Sequence, residues 1–236
     1  MKDLRTYIKK QINEGFKLGK NKVKKVEEDF VDLDLPSGTL WCKHNVGATC
    51  KSDAESWYGD YFTWGDPEPV TNKKCYWKTY KWCNNNGKSL IKYCPKNKIA
   101  YWAGKGNPDN KLVLDEEDDM ANANMGGNWK MPTKEELQEL IDNTTNEWVE
   151  DYNGISGLNG ILFESKSNDN TLFIPAAGAR YHNFTDNIGS YVYVWSSTLM
   201  VDNPSGASCI PAYIYGMRKS SNYSRFWGVS VRGVLN

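Results

Sequence analysis

The sequence predicts an α+β fold made of short twisted antiparallel sheets, two flanking helices and long irregular loops. Three observations carry this expectation. Apolar residues alternate with polar or aromatic ones in several short runs, the pattern of strands with one buried face. A capped amphipathic helix is written over residues 133–141, preceded by an acidic helix start. Aromatic residues make up 13% of the chain, with ten Trp and fourteen Tyr among many glycine-punctuated segments, a composition that argues against a helical bundle.

Taken in order, residues 1–29 stand apart. Leu4, Ile8, Ile12 and Phe16 recur every four residues, with Tyr7 beside them, which predicts an amphipathic helix of about four turns. The lysine-rich stretch KLGKNKVKK follows, and the chain through residue 26 carries an excess of seven positive charges. An isolated helix this short is marginal in water, so its apolar stripe is expected to dock on the next domain or on another chain. This segment therefore reads as an attachment or oligomerisation extension to a domain spanning 30–236. The N-terminus is charged from its second residue and shows no apolar signal region, and no run approaches the length of a membrane span. Over the full chain 29 basic residues balance 29 acidic ones, so nothing draws nucleic acid to the surface as a whole.

From Phe30 the text becomes globular. Val31, Leu33 and Leu35 alternate, Pro36, Ser37 and Gly38 turn the chain, and Leu40 and Trp41 resume it, a hairpin signal. The aromatic cluster WYGDYFTWG leads to residues 70–109, where NNNGK, YCPKNK and GKGNPDN interrupt every candidate element and predict a long surface excursion. The acidic residues from Asp115 to Asp119 favour a helix N-terminus, and Gly126 and Gly127 end that helix. Thr133 and Glu136 then form a capping box for a second helix that buries Leu137, Leu140 and Ile141.

The C-terminal stretch, 191–234, holds three alternating runs, YVYVW, CIPAYIY and WGVSVRGV. Alternation sends Ile210, Ala212 and Ile214 inward and Tyr213 and Tyr215 outward. The connections between the runs are rich in Ser, Gly, Asn and Asp, which favour turns. Tyrosine mixed with small polar residues is the chemistry of adaptable binding loops: a large contact area at low entropic cost, with flexible hydrogen bonding around it. Ordinary strand-flanking loops share this composition. Tyr213, Tyr215, Tyr223 and Phe226 are expected to be exposed on one face, and Arg232 to anchor the last strand through its planar fork.

A search for reaction chemistry gives little. The two histidines, His44 and His182, lie in no metalloprotease or nucleophile-elbow motif, and no phosphate-binding or dinucleotide loop is present. Cys42, His44 and Cys50, and equally Cys75, Cys83 and Cys94, lack the regular spacing of a zinc site, so the cysteines read as thiols. The acidic run lacks the glycine-centred spacing of a calcium loop. No enzyme activity, cofactor or metal is expected.

Seven separated motifs, VDLDLPSGTLW, NVGA, YGDYFTWG, GGNWKMPTKEELQELID, IPAAGAR, GSYVYVWSST and WGVSVRGV, together resemble the Fibrobacter-type major paralogous domain. That domain belongs to the formylglycine-generating-enzyme-like branch of the C-type lectin fold. The resemblance runs in order from about residue 30 to 234, and it is especially close to the variable proteins of diversity-generating retroelements in gut bacteria and their phages. It implies a C-type lectin-like domain whose C-terminal surface, about 191–234, is rewritten by adenine-directed mutagenesis to bind a protein or cell-surface ligand. An asparagine codon with two leading adenines reaches Tyr, Ser, Cys, Pro and Phe but not Met, Lys or Trp. The implied ligand-binding residues are therefore Ser208, Cys209, Pro211, Tyr213, Tyr215, Ser220, Ser221, Asn222, Tyr223 and Phe226, while Met200, Met217, Lys219 and Trp227 would be fixed or differently encoded. The resemblance also implies a phage virion, or the host cytoplasm before assembly, as the location, with the N-terminal helix joining a homo-oligomer or virion. The sugar-binding calcium motifs of that fold do not occur here, and Cys209 alone offers no oxidase site. A different class fits the same features: a constant structural or adhesion protein of the bacterial envelope.

Overall fold

The computed structural model describes residues 30–70, 74–84, 87–95, 109–217 and 221–236. The expected helix over residues 1–29 lies outside them. Strand β1 (Phe30–Asp32) pairs antiparallel with β2 (Leu40–Asn45), as the hairpin pattern predicts, with Gly38 N–H closing the turn onto the Leu35 carbonyl at 2.8 Å. The last strand, β14 (Arg232–Leu235), lies on the other side of β2, so both ends of the described domain share one sheet.

The expected α+β layout with two flanking helices is corrected by the structure. Strand accounts for 37% and helix for 14%, and there are three α-helices among the described residues rather than two. They are short: α1 (Glu55–Tyr58), α2 (Met120–Met125) and α3 (Lys134–Asn143). The physical reason lies in residues 144–186. Thr144 ends α3, its hydroxyl donating to the Leu140 carbonyl at 2.6 Å, and the chain passes directly into β4 (Thr144–Val149). This strand forms an antiparallel meander with β5 (Gly160–Ser165) and β6 (Thr171–Pro175), and β7 (Ala179–Tyr181) and β8 (Phe184–Asp186) add a hairpin. Thr-Thr-Asn-Glu-Trp-Val carries no period-two signal, so partner strands rather than local alternation decide its state.

Local helix signals hold. Asp119 caps α2 by accepting the N–H groups of Ala121 and Asn122 at 2.9 and 3.0 Å, after a 3-10 turn over Glu116–Asp118, and the helix stops at Gly126. Thr133 and Glu136 form the predicted reciprocal box at the start of α3.

The sheet that carries the C-terminal stretch runs in the order β11-β10-β9-β13-β3. Its strands are β3 (Tyr61–Phe62), β9 (Tyr191–Leu199), β10 (Gly206–Tyr213), β11 (Gly216–Met217) and β13 (Val229–Ser230), and β12 (Ser221–Ser224) also pairs with β10. One face, with Val192, Val194, Ile210 and Ala212, packs on Leu137 and Leu140 of α3, on Trp41 and on the β5–β6 meander. The opposite face is also covered over part of its length: Trp195, Cys209 and Ala207 lie against Phe62, Trp64, Tyr93, Met120 and Met131.

The expectation of a surface excursion over 70–109 is overturned for its described part. Val70, Cys75, Tyr80, Cys83, Leu90 and Cys94 form a buried cluster with Phe226. Arg225, fully buried, ties this cluster down by donating to the Tyr80 hydroxyl (2.9 Å) and to the carbonyls of Tyr93, Pro204 and Lys92 (3.2, 3.1 and 3.0 Å). Arg232 is equally buried and donates to the carbonyls of Cys42 and Phe173 at 3.0 and 3.1 Å, the anchoring expected of it; burial brings its pKa down to about 10.

Candidate functional site: a tyrosine patch at the end of the β9–β10 ladder

The register of β9 and β10 sets Tyr213 opposite Tyr191, Pro211 opposite Tyr193, and Cys209 opposite Trp195. These residues share one face by strand alternation. Trp195 is fixed at the covered end of that face, its indole N–H donating to the Phe62 carbonyl at 2.9 Å, while Trp64 donates to the Ser196 carbonyl at 2.8 Å. Moving toward the start of β9 the cover runs out: Tyr193 is still buried, Tyr191 and Tyr213 are half-exposed, and Tyr215 in the turn beyond β10 is 87% exposed.

The rings form a continuous series. Tyr191 stacks on Tyr213 with centroids 5.3 Å apart and on Tyr193 at 5.8 Å, and Tyr215 meets Tyr213 edge-on at 5.8 Å. Tyr223 of β12 meets Tyr193 at 5.0 Å and Trp227 at 5.3 Å, and Trp227 lies 5.2 Å from Tyr181 of β7. Burial, and then the neighbouring Tyr223 hydroxyl, push the Tyr193 phenol well above its ordinary value, so it stays neutral. Ile188 and Ile214, in the turns next to Tyr191 and Tyr213 in the chain, are also exposed.

Backbone geometry fixes the start of β9. Gly178 donates to the Tyr191 carbonyl at 3.0 Å, and a Cβ there would lie 2.1 Å from the Asp186 carbonyl oxygen at a φ of +64°. Only glycine fits this approach without displacing the β8 turn. Tyr191 N–H donates in turn to the Asn187 carbonyl at 3.0 Å.

The structure divides the ten sequence-predicted site residues. Tyr213, Tyr215 and Tyr223 belong to the ring series and are at least partly exposed. Ser208, Cys209 and Pro211 are buried, a correction that follows from packing on both faces of β10. Phe226 is also corrected: it is 7% exposed, packed edge-on to Trp77 at 5.0 Å, because the 74–95 segment folds over it. Ile214, expected inside, is 51% exposed because β10 ends at Tyr213 and the alternation ends with it. Ser221 and Asn222 lie on β12, opposite Cys209 and Ser208, and Ser220 lies outside the described residues. Sequence reading missed Tyr191 and Tyr193 as members of the series, although YVYVW is the same alternating signal as CIPAYIY. It also missed Tyr181 and Trp227, for which no local signal exists.

Elsewhere, the carboxylates of Asp115, Glu117 and Asp118 converge within 4.8 Å of one another. Lysines answer them: Lys92 lies 2.7 Å from Asp115 and 2.6 Å from Asp118, Lys111 is 2.5 Å from Asp115, and Lys81 is 3.3 Å from Asp118. Lys81 and Lys92 thereby tie the stretch on either side of them to the 3-10 turn that precedes α2. Among the described residues no helix is long and apolar enough to cross a membrane.

The tyrosine patch offers flat apolar ring faces with phenolic hydroxyls, on strands hydrogen-bonded to neighbours on both sides. Such rings suit contact with a ligand surface, since each brings large area with few rotors to freeze. Comparisons with protein-family models, curated proteins and solved structures give no match.

Proposed function

We propose that the chain is a ligand-binding display protein, a variable protein of a diversity-generating retroelement, that recognises a protein or cell-surface target through Tyr191, Tyr213, Tyr215 and Tyr223. The observation that carries this reading is the stacked tyrosine series emerging at the uncovered end of a sheet whose other residues are packed on both faces. A scaffold anchored by Arg225 and Arg232 tolerates change at such a patch, because side chains facing solvent contribute little to stability. The seven motifs of the sequence that resemble such variable proteins support the link to the retroelement.

The second reading, a constant adhesion or structural protein of the bacterial envelope, is favoured by the burial of Ser208, Cys209, Pro211 and Phe226, which leaves fewer positions free to vary. The DNA around the gene discriminates the two. A neighbouring reverse transcriptase, with a near-copy of the 3′ end differing from it at adenines, supports display; a gene without either supports the constant protein.

A further inference from the structure

Away from the tyrosines, β2 and the turn after it bring a thiol and an imidazole together, and β14, paired with β2, adds a buried guanidinium. Cys50 Sγ lies 3.1 Å from His44 Nδ1. Both side chains are partly exposed, whereas Cys42, Cys75, Cys83, Cys94 and Cys209 are buried. Cys50 sits at a φ of 49°, a left-handed conformation that costs a non-glycine residue energy and persists only where its surroundings enforce it. Here the N–H groups of Thr49 and Cys50 both donate to the Ser56 carbonyl, at 2.9 and 3.0 Å. Trp57 packs edge-on to the His44 ring at 5.5 Å and is itself anchored through its indole N–H to the Lys51 carbonyl at 2.9 Å.

The third member is Arg232. Its Nε has no hydrogen-bond partner, it pairs with no carboxylate among the described residues, and its NH1 group donates to the Cys42 carbonyl of β2, the strand that carries His44. A buried cation without an anion is costly, and it favours any thiolate that forms beside it. Burial pushes the Cys50 thiol up and the Arg232 charge pulls it back only in part, so the resting thiol keeps its proton and needs a base when it attacks.

The geometry points to Cys50 as a nucleophilic modification site for small disulfides, with His44 as its general base. In the step, the Cys50 proton passes to His44 Nδ1 and Sγ attacks one sulfur of the reagent. The reagent's S–S bond breaks, a mixed disulfide forms on Cys50, and the departing thiolate takes the proton back from His44. The Cys50 sulfur is oxidised to the disulfide level, the half of the reagent it keeps is unchanged in oxidation state, and the other half is reduced to a free thiol.

The test treats the full-length chain with cystamine, a small symmetric disulfide, at neutral pH, and follows intact mass and peptide maps after acid quench. The expected result is a single fast adduct on the Cys50 peptide, lost in Cys50→Ser and slowed about a hundredfold in His44→Asn, the low end for general-base assistance. In denaturant, parent and His44→Asn should react alike. If His44→Asn disturbs the fold by circular dichroism, His44→Gln and the rate of the parent relative to a cysteine tripeptide decide instead. Equal rates for folded parent and histidine variant, a fast adduct on another cysteine, or a Cys50 rate no higher than the tripeptide's would each overturn the inference.

Discussion

Replacing Arg225 tests how the 74–95 segment is held over the C-terminal sheet. Its guanidinium serves four acceptors, the Tyr80 hydroxyl and the carbonyls of Tyr93, Pro204 and Lys92, and its Cζ lies 4.9 Å from the centre of the Trp64 ring. Arg225→Ala leaves these four without their donor, three of them in a buried site and the Lys92 carbonyl at its edge. At roughly 1 kcal/mol or more for each orphaned buried group, partly relieved by no longer burying a charge, the expected loss is about 3–5 kcal/mol. Such a loss is a large fraction of the roughly 5–15 kcal/mol that holds a typical domain folded. Urea unfolding followed by tryptophan fluorescence reads it directly. Arg225→Met separates polar from packing effects: it keeps most of the volume and leaves the same acceptors orphaned, so it should lose at least about 2 kcal/mol. Native-state hydrogen exchange should show the Tyr80 and Tyr93 regions opening before the β9–β10 ladder. If both variants stay within about 1 kcal/mol of the parent, the clamp assigned to Arg225 is wrong.

Other outcomes follow from the same structure. Replacing Tyr191, Tyr213 and Tyr215 together by Ser should leave the melting temperature within a few degrees, since surface changes seldom exceed about 0.5 kcal/mol each, whereas Phe226→Ser should cost about 3 kcal/mol or more by emptying a packed site; a triple variant that unfolds would make those tyrosines core. Glu136 is pushed up by burial, but the Thr133 N–H, the Asn236 amide and Lys130 together bring its pKa below the ordinary value of 4.5. A carboxylate depressed in the fold stabilises above its unfolded pKa and loses that contribution as pH falls through the folded one. Glu136→Gln should therefore lower stability at pH 7 and flatten its decline below about pH 4.5, and parallel urea titrations at the two pH values check this. Arg232→Ala leaves the buried Cys42 and Phe173 carbonyls without their donor and should lower stability by about 2 kcal/mol or more, read by the same titration.

The sequence made the ladder readable but not its covering. Val192, Val194, Ile210 and Ala212 face the core as their alternation requires, and Thr133, Glu136 and Gly126 mark helix ends because capping is decided within a few residues. Alternation states that one face of β10 is buried; it cannot state that Trp64 and Met131, far away in sequence, also close the face carrying Cys209. The same long-range packing buries Phe226 under the 74–95 segment. Arg225 reads locally like any loop arginine beside Ser and Tyr, and only the folded chain gives it carbonyl partners. The strands of 144–186 went unread for the same reason: Trp148 and Ile161 are set by pairing with each other rather than by a local pattern.

The central claim is that the uncovered end of the β9–β10 ladder is a surface selected to vary against a scaffold that is not. Sequencing the 3′ end of the gene across many independent isolates tests it most directly. The account predicts substitutions concentrated in the codons of Tyr213, Tyr215 and Tyr223, at their adenine-derived positions, with Trp195, Arg225, Phe226 and Arg232 unchanged. Isolates in which the exposed tyrosines are as constant as the buried residues, or in which Cys209 and Phe226 vary as freely as Tyr215, would contradict it.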